Sequence, residues 1–385
     1  MLFALDGHAI GRHLTGNEVY ARNLLNSLTA LGEDDEFVAY VSVEQAREWI
    51  PACCRVRQVS PNPYLRLGFD LSMKLRVDAP RLVHVQYTAP LRCPVPVLVS
   101  VHDVSFLEHP EYFPRLRAAQ LRWTVRRTVE AAARVLTGSE FSRASILRVY
   151  PQLDPEKVVV VPNAASSNFR PIPRETAAAF ARRRFGLAAP FVLTVGDLQP
   201  RKNHVGLIAA FASLLGACPG LPHDLVLAGK DTWFSGRVRE AARASGVAER
   251  IRFTGFVTDE ELLQLYNACD AFVFPSFYEG FGLPLLEAMA CARAVACSRT
   301  SAMPEVADGA ALLFDPYSTG EIARAMVDLL RDAELRGRME RLGTQRSASF
   351  SWHRTAAQTL AIYHEVAAVA GVSAGRVRAA QTARS

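Results

Sequence analysis

Short runs of β-branched and aromatic residues alternate with longer amphipathic segments along the whole chain, and no other feature constrains its fold as strongly. This is the pattern of parallel sheets covered by helices, so the expected class is α/β. In the first half, strands are expected over Leu2 to Leu5, Phe37 to Val41, Leu82 to Val85, Val97 to Val101, Val135 to Thr137 and Val158 to Val160. Helices are expected between them, notably Glu18 to Leu31 and Arg115 to Ala133. The stretch Pro162 to Pro173 holds three prolines, two Asn and two Ser, a composition that continues neither strand nor helix, and it sets a domain boundary. Alternation then restarts, with strands near Phe191 to Val195, Asp224 to Ala228, Arg252 to Thr254, Ala271 to Phe274, Ala294 to Ala296 and Ala311 to Phe314. Two such halves without a sequence repeat imply two doubly wound, Rossmann-like domains, residues 1–166 and 172–350. They are expected to face a central cleft, where ligands collect at the carboxyl ends of the strands. Residues 351–370 have a helical period and are expected to cross back to the N-terminal domain; 371–385 are basic, low in apolar content and expected to fray.

Half of the 385 residues are hydrophobic and 21% are charged, which excludes a disordered or low-complexity chain. The longest apolar stretches fall short of the roughly 18 residues that span a bilayer. Met1 to Ile10 carries Asp6 and no basic residue ahead of its apolar run, so it reads as a first buried strand and not a signal peptide, and a cytoplasmic location is expected. Seven cysteines with no CxxC spacing give neither a disulfide framework nor a zinc site. The net charge of +6 is shared evenly: residues 1–170 hold 20 basic and 17 acidic side chains. No nucleic-acid-binding arm is implied. Only four basic residues are lysines (Lys74, Lys157, Lys202, Lys230), so a lysine inside a motif stands out.

The most specific motif is Glu279-Gly-Phe-Gly-Leu-Pro-Leu-Leu-Glu287, placed directly after an expected strand and opening a helix. Gly280 and Gly282 let backbone approach a ligand, and free amides at the turn can hold a phosphate oxygen. A carboxylate on the loop and a second in the first helical turn can accept hydrogen bonds from vicinal hydroxyls of a sugar and a ribose. Taken singly, Glu287 could merely complement the helix dipole and Glu279 be solvated; together with phosphate-binding amides they fit a nucleotide sugar. The second motif, Gly196 to Asn203, again follows a strand and precedes a helix. Its Arg201 and Lys202 put two cations at the positive end of that helix, an unfavourable position unless an anion such as a diphosphate is held there.

These residues resemble the family-four glycosyltransferases, retaining enzymes of GT-B fold. Glu279 to Ala288 is similar to their E-x7-E motif, and Gly196…Arg201-Lys202-Asn203 to their donor-phosphate motif. Leu14 to Leu25 resembles their N-terminal glycine loop and His102-Asp103 their HD pair. Further likeness lies in Ser139 to Ser142, Val160 to Asn163, Ser301 to Glu305 and Leu313 to Pro316, so that it covers about residues 5 to 365. The resemblance implies that Arg201 and Lys202 hold the donor diphosphate and offset charge on the leaving group, that Glu279 meets the transferred sugar, and that Glu287 holds the ribose. It further implies that backbone amides of Phe281, Gly282 and Leu283 contact sugar and phosphates, that Gly196 forms the turn beneath them, and that Gly16 lets the N-terminal loop close. His102, at a strand's carboxyl end, would meet the donor sugar near the reacting carbon; as an isolated residue it could equally cap or fill a core. Two positions depart from the pattern: Glu18 replaces a second loop glycine, and Ala164 the glycine after Val-Pro-Asn.

Members of this family react on the front face, the departing phosphate oxygen taking the acceptor proton. No cofactor is implied, and with no DxD triplet no metal is expected. Gly229, Lys230, Phe256 and Val257 are candidates to frame the donor base, and Ser301 to Glu305 with Leu313 to Pro316 look most like GDP-mannose users. The expected function is thus hexose transfer, best mannose from GDP-mannose, to a glycan or lipid-linked acceptor of a cell-surface polysaccharide or glycolipid. UDP- or dTDP-sugar use, a GT-B epimerase or phosphorylase, and a non-catalytic nucleotide-sugar-binding subunit are the competing assignments; an oxidoreductase is weaker, since no GxGxxG follows the first strand. Six arginines (115, 117, 122, 126, 127 and 134), interleaved with Leu116, Leu121, Trp123 and Val125, suit either an anionic membrane at its inner face or a solvated helix face.

Overall fold

The computed structural model describes residues 1–12, 15–32 and 34–382; at residues 15 and 370–382 it describes the backbone alone. The chain forms two compact units, one of Met1–Asn163 with the segment from Ser351 onward, the other of Ala164–Phe350.

The first unit is built on β1 (Leu2–Asp6), β2 (Glu36–Val41), β3 (Arg55–Gln58), β4 (Val83–Gln86), β5 (Val97–Ser100), β6 (Arg134–Thr137) and β7 (Val158–Val160). They lie in the order β3-β2-β1-β4-β5-β6-β7, every pair parallel. β4 and β5 are buried at every position because helices cover both faces; β5 therefore opens as an apolar Val-Leu-Val run, whereas β4 alternates valine with His84 and Gln86, whose polar groups are hydrogen-bonded. β3 was not among the expected strands. Its Arg-Val-Arg-Gln sequence is mostly exposed at the sheet edge, where pairing comes from the backbone and leaves no apolar signature.

The second unit holds β8 (Phe191–Val195), β9 (Asp224–Ala228), β10 (Ile251–Gly255), β11 (Ala271–Phe274), β12 (Val295–Ser298) and β13 (Leu312–Phe314). Their order is β10-β9-β8-β11-β12-β13, again parallel throughout. Strand order reverses between β1 and β4 in the first unit and between β8 and β11 in the second. Those are the points at which an open α/β sheet receives a ligand.

The helix Trp352–Thr382 packs on the first unit. Thr355 donates to the Pro162 carbonyl at 2.6 Å, and Tyr363 bonds His84 Nδ1 at 2.8 Å. Arg134 pairs with Glu365. The expected frayed stretch 371–385 lies outside the residues described with side chains. Among the described residues, no helix is long and apolar enough to cross a membrane.

The structure departs from the sequence expectations at two places. The arginine-rich helix ends at Ala131, so Arg134 opens β6 instead of extending that helix. Gly16, expected in a loop, is the second residue of the helix Thr15–Leu31. That helix starts early because Glu18 sits in its first turn, where a carboxylate favours the positive end, and reaches back to accept the Gly11 amide at 2.9 Å. Leu14, in the same motif, lies outside the described residues.

Candidate active site

In the second unit, the loop after β8 carries Arg201 and Lys202, and the loop after the neighbouring β11 carries Glu279. Gly196 turns out of β8 at φ +154, and a Cβ there would meet Lys202 Cδ and Cε at 3.0 Å. Glycine therefore lets the lysine stem lie flat against the turn. Asn203, in the left-handed conformation at φ +52, ends the 3-10 turn Pro200–Lys202 and caps the helix His204–Ala217 by accepting the Gly206 amide at 3.1 Å. Asn tolerates this backbone region better than other side chains. Gly282 plays the matching part on the second loop: φ is +96, a Cβ would sit 3.1 Å from Met303 Sδ, and Leu283-Pro284 then opens the helix Leu283–Ala290 with a residue that lacks an amide donor.

The two loops are tied together. Phe277 donates its amide to the Arg201 carbonyl at 2.8 Å, and Arg201 Nη1 donates to the Tyr278 carbonyl at 2.7 Å. Between them the Glu279 carboxylate receives Arg201 Nη1 at 2.6 Å on one oxygen and Lys202 Nζ at 2.7 Å on the other. Lys202 Nζ also lies 4.8 Å from the centre of the Phe274 ring. Burial alone would raise the Glu279 pKa, but the two cations outweigh it and hold it down at about 2. Burial lowers the Lys202 pKa and Glu279 only partly restores it; with the carboxylate in contact, the ammonium is the form the pair favours. One carboxylate against two cations leaves a net charge of +1 pointed at this loop cluster, which favours an anion.

Glu287 behaves oppositely. It is 5% exposed, lies in the second turn of its helix and not the first as expected, and accepts from the Tyr266 hydroxyl at 2.9 Å. Burial pushes its pKa up to about 7. The motif therefore supplies one carboxylate fixed as an anion and one poised between protonated and charged forms near neutrality. Phe281 is buried and lies edge-on to Phe350 at 5.7 Å. Gly229, a candidate to frame the donor base, packs against the Gly196 turn so closely that a Cβ would come within 2.0 Å of the Gly196 carbonyl oxygen. Lys230 pairs with Asp197 at 3.5 Å, and Phe256 is exposed.

In the first unit, His102 follows β5 by two residues. Its Nε2 bonds Gln86 Oε1 at 2.9 Å, and the edges of Tyr20 and Tyr87 pack against the ring at 4.6 and 5.6 Å. Burial lowers its pKa to about 4, so the imidazole is neutral at pH 7. Asp103 accepts from the amide and hydroxyl of Ser105, the first residue of the next short helix. Gly16 is exposed, and a Cβ there would meet nothing within 4 Å.

The motifs brought Arg201, Lys202 and Glu279 to one cluster and included Asn203 and Ser301 without a role; Tyr266 was in none of them. Ser301 accepts the Glu279 amide at 2.9 Å. An Asn directly before a helical run signals the cap at Asn203; Tyr266 and Ser301 lie about 20 residues from their partners, so neither hydrogen bond is readable from spacing.

Residues 14–168 match the family model described as Glycosyltransferase Family 4, and residues 178–346 that of Glycosyl transferases group 1. The O-antigen chain mannosyltransferase B of Escherichia coli is 34% identical over 268 residues, 69% of either chain. The alpha-maltose-1-phosphate synthase of Mycolicibacterium smegmatis is 32% identical over 349 residues, 80% of this chain and 87% of that protein. Among solved structures, sucrose-phosphate synthase from Thermosynechococcus elongatus superposes with a TM-score of 0.78 at 20% identity, covering 96% of this chain and 100% of that one.

Proposed function

Since the chain belongs to the family-four glycosyltransferases, we propose that it moves mannose from GDP-mannose, with retention, to a hydroxyl of a glycan or lipid-linked acceptor in cell-surface polysaccharide synthesis. The observation that carries the site assignment is the Arg201–Glu279–Lys202 cluster at the strand-order reversal of the second sheet. In this reading the diphosphate draws on both cations while Glu279 turns one oxygen to the sugar hydroxyls. The bond from C1 to the β-phosphate oxygen breaks, the acceptor oxygen bonds C1 on the same face, and the acceptor proton passes to the departing phosphate. Glu287 receives the ribose hydroxyls, and amides at Phe281, Gly282 and Leu283 complete the cradle. His102 meets the sugar as a neutral imidazole. The cations supply the charge stabilisation, so activity persists in chelator.

Mannose is favoured by the likeness to the E. coli O-antigen mannosyltransferase. The test is donor consumption with defined sugar nucleotides, water serving as slow acceptor, and the anomer of the released sugar read by NMR. Release of α-mannose from GDP-mannose supports the reading. Turnover of UDP- or dTDP-sugars alone removes mannose and keeps the reaction class.

For a lipid-linked acceptor we propose the helix Arg115–Ala131 as the surface that meets an anionic membrane at its inner face, the alternative being a solvated helix face. Leu116 and Trp123 are exposed at 88% and 59%. Arg115 and Arg122 line the same 660 Å³ groove as Trp123 and Phe113 and form no ion pair among the described residues. Arg127 instead folds down onto the carbonyls of Ala89, Pro90 and Leu91, and Arg126 pairs with Glu130. The surface thus rests on fewer arginines than the sequence counts.

A further inference from the structure

Gln86, the last residue of β4, lies at the strand-order reversal of the first sheet, and its amide joins two elements that follow different strands. Its Nε2 donates to the Asn17 carbonyl at 3.0 Å, and its Oε1 faces His102 Nε2 at 2.9 Å. A backbone carbonyl only accepts, so the amide has one permitted orientation and its oxygen must face the histidine. That oxygen only accepts in turn, so the proton of the neutral imidazole sits on Nε2 and Nδ1 keeps its lone pair. The ring is held in this orientation by Tyr20 and Tyr87, edge-on at 70° and 74°. Tyr87 adopts φ +59, a left-handed backbone costly for an aromatic residue and set by the same strand end. Asn17 is the residue after Gly16, in the first turn of the helix Thr15–Leu31.

We propose that Gln86 is a positioning residue for transfer: by bridging His102 and Asn17 it fixes the histidine as the Nε2–H tautomer, leaving Nδ1 as a hydrogen-bond acceptor, and locks it to the first helix of the unit. The role in transfer rests on the reading above, while the tautomer does not. The group that His102 serves through Nδ1 is then a hydroxyl donating its proton, which suits a sugar and not a bare phosphate oxygen. A histidine freed from Gln86 samples both tautomers and a wider range of orientations, and misplacement of a reacting-site group by about 1 Å costs roughly 100-fold in rate.

The experiment uses the full chain with 15N-labelled histidine, the His102 signals being assigned from their loss in His102→Asn. Wild type is expected to give the Nε2–H pattern. Gln86→Leu is expected to give mixed tautomers with a roughly 100-fold lower kcat and a smaller change in donor KM. Gln86→Glu, which still accepts from Nε2–H but cannot donate to Asn17, is expected to keep the tautomer and recover much of the rate. It also tests the proposal should Gln86→Leu not fold. An Nδ1–H pattern in wild type, or in Gln86→Leu an unchanged tautomer or an unchanged kcat, overturns the proposal. Absence of turnover with every sugar nucleotide together with the Nε2–H pattern would instead discard the transferase reading and leave the tautomer assignment standing.

Discussion

Replacing Glu279 by Gln keeps the volume and removes the charge between Arg201 and Lys202, and two independent routes give the same size of effect. Holding a buried carboxylate at about 2, against 4.5 for an ordinary glutamate, corresponds to about 3 kcal/mol of native-state stabilisation at 1.36 kcal/mol per unit. Taking one partner from a buried ion pair costs about 3–5 kcal/mol, because the remaining charge is left uncompensated. The Glu279 side chain is 9% exposed and its partners 17% and 12%, so solvent screening discounts this little. The sign follows from the depressed pKa. The stabilisation is complete above about 4.5 and is lost as pH falls toward 2, so variant and wild type should differ by about 3 kcal/mol at pH 7 and converge at pH 2–3. Urea denaturation of the second unit's transition at several pH values measures this. Nucleoside diphosphate binding should meanwhile hold or tighten in the variant, since the cluster's charge rises from +1 to +2, while turnover falls because the sugar contact is gone. Equal stability at pH 7, or a gap that does not close on acidification, would refute the pairing.

The second carboxylate predicts an opposite pH dependence. Because Glu287 is raised to about 7, its burial penalty is absent below about 4.5 and grows through neutrality. Glu287→Gln keeps an acceptor for Tyr266 and should be the more stable protein at pH 8, with no gain at pH 4, yet bind nucleotide more weakly; denaturation at the two pH values checks it. Two glycines should part company: Gly229→Ala, with a Cβ driven into the Gly196 carbonyl, should abolish soluble folding or cost several kcal/mol, whereas Gly16→Ala should leave thermal stability unchanged or raise it by up to about 1 kcal/mol. If the helix Arg115–Ala131 meets a membrane, Arg115→Glu with Arg122→Glu should abolish sedimentation with anionic vesicles, wild-type binding should weaken with salt, and neutral vesicles should bind neither. Salt-independent binding would count against it.

Much of this was legible in the sequence wherever a chemical need was local. The Gly-to-Pro turn before Leu285 and the basic pair after Gly196 place their groups through nearest neighbours, and the apolar runs of β5, β8 and β11 mark central strands. Long-range partners left no trace. Nothing around Tyr266 indicates that its hydroxyl meets Glu287, and Gln86 looks like any polar residue closing a strand, although its two hydrogen bonds lead to residues far along the chain. Glu18 reads as a departure from the family's glycine, but its carboxylate reaches the Gly11 amide, a contact no spacing rule could supply. Glu287 falls in the second turn because the helix is capped at Gly282, five residues ahead of it; a first-turn place needs a cap closer to the glutamate than any glycine of the motif stands.

The diphosphate site is tested most sharply by calorimetric binding of GDP, UDP, dTDP and ADP to wild type and to Lys202→Ala. Tight binding of GDP is expected, lost when the lysine paired with Glu279 is removed. Binding of no nucleotide, or undiminished GDP binding in Lys202→Ala, would contradict the assignment of the Arg201–Glu279–Lys202 cluster as the diphosphate site.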